Sequence, residues 1–269
     1  MIAHERALES LHPDALFQDP FAKALAGNKG EALSDSFGAA CVQFELPGWK
    51  EFHKMWTAVR TKFIDNQICE LASSSHFKQL VNLGAGMDTR AYRLESYKAF
   101  TSGSFEVDME VINENKLKIF KDFLGAPSPH CNVVSISLDF LDLEKTLSSE
   151  LGPLFDASKP SVFVSEGLIM YLGAAGKLKL LEDVSAVAAT GSVFILQFMD
   201  GSETVAAKAN PALLDHALTA DEARRALTEH GWGQFEFSKF GDEKLNFGRF
   251  PTDKFQATSS FSFVVCKKL

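Results

Sequence analysis

Four short segments of this 269-residue chain place chemically capable residues where an apolar stretch ends. Leu80-Val-Asn-Leu83 runs into Gly84-Ala-Gly86, and glycines at such a turn let the backbone approach a ligand that a Cβ would block. Phe105-Glu-Val-Asp108 ends in an acid 24 residues after Gly84, where a carboxylate can accept both hydroxyls of a ribose. Leu138-Asp139-Phe140 follows a third apolar run. A carboxylate there can accept from an adenine amino group while the aromatic neighbour flanks the ring. Asp142 is the alternative, and either acid can instead cap the helix that follows. Glu166 leaves Ser161-Val-Phe-Val164 in apolar company, with Phe163, Leu168 and Ile169 around it, unlike an ordinary solvated loop acid. A tight turn and exposed loop acids would explain any one of these, but together they describe an adenosine-containing ligand.

Two such ligands compete. A dinucleotide needs GxGxxG, whose third glycine permits close helix–strand packing beside the pyrophosphate. Here that position is Thr89, and Asp88 precedes it. A carboxylate beside a pyrophosphate is electrostatically unfavourable, whereas a ligand with a cationic sulfonium and no phosphate fits. This favours S-adenosyl-L-methionine.

The elements that must position these residues alternate. The first seventy residues read as helical, with Asp19 before Pro20 as an N-cap and a long helix from Trp49 to Leu71. In that helix Phe52, Met55, Trp56, Val59, Phe63 and Ile64 recur at threes and fours, giving one core-facing side. Strands at 80–83, 105–108, 132–136, 161–164 and 193–198 then alternate with helices at 111–123 and 174–189, the latter capped by Gly191. A helix over 220–229 stops at Gly231, and 234–240 with 261–266 form a closing strand pair with no helix between. The pattern predicts an α/β fold with a doubly wound, mostly parallel sheet and an antiparallel edge.

Composition narrows the partners. Lys and Arg number 27 against 35 Asp and Glu, a formal charge of −8, which opposes a non-specific nucleic-acid or anionic-membrane binder. Cys41, Cys69, Cys131 and Cys266 fit no zinc or redox spacing, and no HExxH occurs, so no metal is expected. No leader-like segment and no apolar run of ~18 residues is present, and a reducing, cytoplasmic setting is the expectation.

Val81-Asn-Leu-Gly-Ala-Gly-Met-Asp-Thr-Arg-Ala-Tyr-Arg-Leu94 resembles the leucine carboxyl methyltransferase family. Arg60-Thr-Lys-Phe-Ile-Asp65, Phe105-Glu-Val-Asp108, Glu166-Gly-Leu-Ile-Met-Tyr-Leu172 and Asp19-Pro-Phe-Ala22 agree in order and spacing. The likeness covers roughly residues 15 to 200. It implies a class I, Rossmann-like methyltransferase with a seven-stranded sheet whose last strand is antiparallel. Residues 1–72 would be a helical extension packing on a methyltransferase domain of 73–269. It further implies that Arg60 pairs with the carboxylate of S-adenosyl-L-methionine, a contact suited to a guanidinium fork. Gly84 would pass beneath the methionine portion, beside Gly86. Asp108 would take the ribose hydroxyls, Asp139 and the Phe140 backbone the adenine, and Glu166 the amino group.

Other readings stay open at this level. Arg60 can instead be a helix-surface arginine paired with Asp65, and Arg90 and Arg93 can fasten the glycine loop to nearby carboxylates. Tyr171 either faces the acceptor or packs. Asn66 stands where the family often has a second acid, and 200–219 is short for a substrate lid, so Met1 to Lys50 is expected to complete the acceptor pocket. The expected acceptor is a carboxyl or hydroxyl group of a small molecule or peptide tail. A carboxylate needs no general base, while a phenol would need one, for which His53 and His76 are available. The rival function is a catalytically inactive, adenosine-binding relative serving as sensor or scaffold; a scaffold would need none of Arg60, Asp108 and Glu166.

Overall fold

The computed structural model describes residues 1–43, 49–199, 218–249 and 261–269. Three helices lead the chain, α1 (Ile2–Glu9), α2 (Ala22–Gln43) and α3 (Trp49–Ser73). The predicted cap is present: Asp19 Oδ1 accepts the Phe21 and Ala22 N–H groups at 3.2 and 3.1 Å. One feature escaped the pattern. Gly27, with φ 51° and ψ −170°, breaks α2 into two helical pieces, which a residue without Cβ tolerates.

The sheet comprises β1 (Gln79–Leu83), β2 (Gly103–Asp108), β3 (Val133–Ser137), β4 (Val162–Ser165), β5 (Val193–Met199), β6 (Trp232–Lys239) and β7 (Phe261–Lys268). Its order is β3-β2-β1-β4-β5-β7-β6, parallel except where β7 runs against β5 and β6. That is the expected doubly wound sheet with an antiparallel edge. The helices between strands are α4 (Arg90–Arg93), α5 (Glu110–Leu124), α6 (Leu147–Leu151), α7 (Gly173–Val187) and α8 (Ala220–Glu229). Helix α7 ends two residues earlier than its apolar pattern, with Ala188 as C-cap. Gly191, at φ 88°, serves the turn into β5 instead. Residues 200–217, which hold nearly all of the expected lid, lie outside the described residues.

Strand order reverses between β1 and β4, so the chain leaves their carboxyl ends in opposite directions and a crevice opens there. Gly84 follows β1 and Glu166 follows β4, one on each side of it. On the sheet face beside this crevice, Phe52, Trp56, Val59, Phe63, Ile64 and Ile68 of α3 are buried against Leu80, Val162, Ile195 and Phe263. The Trp56 ring sits 4.9 Å from those of Phe240 and Phe261. The threes-and-fours stripe therefore does what its spacing predicts. No described helix is long and apolar enough to cross a membrane.

Within β2, Glu106 is buried and meets the equally buried Lys116 Nζ of α5 at 2.7 Å. Burial pushes the Glu106 carboxyl above its ordinary range, and Lys116 offsets only part of that. Removing one partner of such a pair strands the other charge, at a cost of about 3–5 kcal/mol. Chemical denaturation of Lys116→Met should show a loss of that size. Adding Glu106→Leu should restore most of it, because the stranded charge is gone.

Candidate active site

The site is built from the turn after β1 outward. Gly84 and Gly86 both have positive φ, 67° and 48°. A Cβ on Gly84 would come within 3.1 Å of Leu168, so glycine is required for conformation and for space. Asp108, at the end of β2, is fixed by two backbone donors. Gly86 N–H reaches its Oδ2 at 2.7 Å and Met109 N–H its Oδ1 at 2.8 Å. Each oxygen keeps a lone pair for an outside donor.

Behind this turn lies a buried ion network. Glu166 Oε1 is 2.9 Å from Arg60 Nε, and its Oε2 is 2.8 Å from Arg90 Nη1. Arg90 also holds Asp65 through Nε at 2.7 Å and Asp88 through Nη1. Arg93 grips Asp65 bidentately at 2.6 and 2.8 Å. Three cations face three carboxylates, so the buried charge sums to zero. Burial pushes the Glu166 carboxyl up, but Arg90 and then Arg60 outweigh it and hold it below its ordinary value. Asp88 is likewise held well below, burial being overcome by Arg90.

These contacts decide between the open readings. Arg60 does not pair with Asp65: five residues apart on a helix they point about 140° from each other. Asp65 turns to Arg90 and Arg93, which fasten the glycine loop to α3. The bare repulsion argued from Asp88 is reduced, since Arg90 and Asn82 Nδ2 (3.0 Å) engage its carboxylate. Thr89 is buried and donates to Asp19 Oδ2 at 2.7 Å, a further tie to the start of α2.

The adenine-side residues lie further out. Asp139 is exposed and its Oδ1 accepts the Leu141 N–H at 2.9 Å, while Phe140 packs partly on the core. Neither Asp139 nor Asp142 caps α6, whose cap is Thr146, accepting from Ser149 N–H at 3.2 Å. Tyr171 is 64% exposed on the cleft wall and does not pack inside.

A cleft of about 1470 Å³ opens over the turn. Its floor is Gly84 to Asp88 with Glu166 and Gly167, and one wall carries His53, Trp56 and Arg60 of α3. Residues of α1 and α2, among them Ile2, Arg6 and Phe37, also line the cleft. Among the described residues, three buried donors on these walls have no hydrogen-bond acceptor: Arg60 Nε, Trp56 Nε1 and Gln197 Nε2. For Arg60 the charges are adjacent, yet its N–H does not point at the Glu166 oxygen. Gln197 holds Gly167 N–H through Oε1 at 2.8 Å. Sequence reasoning passed over it, although a glutamine near the carboxyl end of the otherwise apolar β5 was the available signal. It also passed over Glu5, whose buried carboxylate meets His53. Among the described residues no group of three or more His, Cys, Asp or Glu could hold a metal ion.

The strand order, the antiparallel β7 and the glycine turn bonded to the acid after β2 define the class I methyltransferase fold. Two solved structures share it over the whole chain. One is a protein of a domain-of-unknown-function family from Streptomyces avermitilis (TM-score 0.63, 15% identity, 97% of that chain covered). The other is described as a methyltransferase from Thermobifida fusca (0.61, 18%, 95%). The chain belongs to the leucine carboxyl methyltransferase family, whose sequence profile matches residues 1–185. A relative from Mycolicibacterium smegmatis, named as an S-adenosyl-L-methionine-dependent methyltransferase, is 33% identical over 74% of this chain and 65% of its own length. One of the same name from Mycobacteroides abscessus is 27% identical over 97% of this chain and 90% of its own. A third, from Streptomyces coelicolor, is 33% identical, with 64% of its length spanned. The chain thus spans just under two thirds of the first and third of these relatives.

The lowered carboxyls set an acid dependence. With folded values below unfolded ones, the unfolded chain takes up protons first, so this stabilisation is complete above pH ~5 and lost on further acidification. Thermal melts should show Tm falling below that pH. Arg90→Met should lower Tm at pH 7 and flatten the acid slope, because Glu166 and Asp88 lose their largest favourable partner.

Proposed function

We propose that the chain is an S-adenosyl-L-methionine-dependent O-methyltransferase acting on a carboxyl or hydroxyl group of a small molecule or peptide tail. Family membership and the relatives' names support the cofactor and the reaction class. The observation that carries the reading is Arg60 and Glu166 side by side, 2.9 Å apart, across the crevice from the Gly84–Gly86 turn.

The residues fit the cofactor. An amino-acid head group presents one carboxylate and one ammonium, and the site offers one guanidinium with an unsatisfied N–H and one ionised carboxylate beside it. Asp108 has lone pairs free for ribose hydroxyls, and around Gly86 a Cβ would meet nothing nearer than 3.9 Å, leaving open space beside that carboxylate. In this reading Arg60 takes the carboxylate, Glu166 the amino group, Asp108 the ribose, and Asp139 with the Phe140 backbone the adenine. Gly84 gives the backbone its close approach, and Tyr171 faces the acceptor.

When bound, S-adenosyl-L-methionine supplies a methyl group on a cationic sulfur for in-line capture by an acceptor oxygen. The chain contributes position: alignment alone can lower such a barrier by ~7–11 kcal/mol. The cleft exceeds the ~300–1,000 Å³ typical of a single small-ligand pocket, which leaves room for donor and acceptor together. The formal charge of −8 supports a soluble acceptor over a nucleic acid.

Titration calorimetry should find binding of S-adenosylhomocysteine and none of NAD; the reverse preference would end the methyltransferase reading. Asp108→Ala should weaken that binding by ~1.5–3 kcal/mol, the worth of hydrogen bonds to a charged group, and should also lower the ligand-free Tm, because the Gly86 and Met109 N–H groups lose their acceptor. Arg60→Lys should lose nearly as much affinity as Arg60→Ala, since an ammonium cannot reproduce the fork. Recovery to within ~0.5 kcal/mol by Lys would remove Arg60 from the site.

A further inference from the structure

We propose that His53, oriented by Glu5, is the general base for the acceptor, and therefore that the methylated group is a hydroxyl. The inference rests on the methyltransferase reading above and deepens it.

Helix α3 places His53, Trp56 and Arg60 on the cleft wall at i, i+3 and i+7, with the buried Thr57 at i+4 beside them. His53 therefore stands about 10.5 Å along the axis from Arg60, the spacing of two turns. An acceptor lying between them has the cofactor's head group at one end and His53 at the other. The imidazole is held, not loose. Its Nδ1 lies 2.9 Å from both Glu5 oxygens, and Thr57 Oγ1 donates to Glu5 Oε2 at 2.6 Å. The Phe37 ring of α2 packs against the imidazole with centroids 5.0 Å apart.

Chemistry fixes the tautomer. Burial pushes the Glu5 carboxyl up, but hydrogen bonds from His53 and Thr57, with the charge of Arg60, hold it below its ordinary value. An ionised carboxylate only accepts, so Nδ1–H donates to Glu5, and in the neutral imidazole the lone pair then sits on Nε2. Nε2 has no partner among the described residues, and His53 lines the cleft. Among the described residues, Arg60 from α3 and the Met1 amino group from the start of α1 act on Glu5; α2 contributes the uncharged Phe37, and its Asp35 pairs with Lys50, one turn before His53 on α3, at 3.1 Å.

A carboxylate acceptor is already nucleophilic and has no use for a base; an alcohol or phenol does. The acceptor O–H bond breaks, its proton goes to Nε2 and its electron pair stays on oxygen. The imidazolium so formed is stabilised by Glu5 and returns its proton to water after turnover. Glu5 acts through His53 and is a positioning residue.

The test compares the full chain with His53→Gln, His53→Asn and Glu5→Gln. S-Adenosylhomocysteine affinity by calorimetry should stay within about twofold in all three. Failure of the wild-type protein to bind it overturns the cofactor reading, independently of His53. With S-adenosylhomocysteine bound, 4-nitrophenol one pH unit below its own ionisation should bind the wild-type protein as the yellow phenolate and both His53 variants as the neutral phenol. Methyl transfer at pH 7 to a panel of phenols and alcohols should fall by roughly 100-fold or more in the His53 variants, and recover as pH rises through the phenol's ionisation. Glu5→Gln should lower kcat for phenols with KM unchanged, whereas loss of a merely structural tie would move KM and Tm as well. Transfer confined to carboxylic acids, no phenolate signal with the wild-type protein, or equal rates in His53→Gln or His53→Asn would overturn the proposal.

Discussion

The ligand end of this molecule depends on a buried, charge-balanced set of three arginines and three carboxylates. Arg60, Asp65, Asp88, Arg90, Arg93 and Glu166 come from α3, from the turn after β1 with the α4 that follows it, and from the residue after β4, and no one of these elements could bury its own charges alone. Desolvating an ion is costly by several kcal/mol, and mutual pairing with hydrogen bonds offsets it only when geometry is good. Arginine meets that demand because one planar fork serves several oxygens, as Arg90 does with Asp65, Asp88 and Glu166. The glycine loop is thereby fastened without being filled. Gly84 and Gly86 remain open to the cleft, while the residues that hold them lie behind.

Helix α3 joins this network to the sheet and to the acceptor side. Phe52, Trp56, Val59, Phe63 and Ile64 bury it against the sheet, which fixes its rotation, and that rotation aims His53 and Arg60 at the cleft. The same helix therefore positions the proposed cofactor contact and the proposed base. Helix α1 completes the arrangement from the other side: Arg6 ties Asp19 at 2.9 Å, and Glu5 ties His53 and Thr57. Two adjacent residues of a short helix so reach two separate parts of the site.

Much of this was legible in the sequence. A strand needs an apolar run and a glycine turn needs glycine, so β1, the Gly84–Gly86 turn, Asp108 and Glu166 could be placed from local pattern. Strand–helix alternation implied a doubly wound sheet, because parallel neighbours require crossovers. The break at Gly27 and the end of α7 at Val187 were missed, since apolar spacing does not register where a backbone leaves the helical region.

The sequence by itself determined the fold class and the residue types at the strand ends, since these follow from short-range rules of periodicity, turn geometry and charge, and its ordered motifs carried the resemblance to the family. Tertiary structure alone decided the partners. Asp65 faces away from Arg60 on the same helix and finds Arg90 and Arg93; Glu5 and His53, 48 residues apart, meet only because α1 packs on α3. Ionic and hydrogen-bond pairing depends on distances of about 3 Å between side chains, and no one-dimensional spacing encodes such a distance once two elements must first pack together.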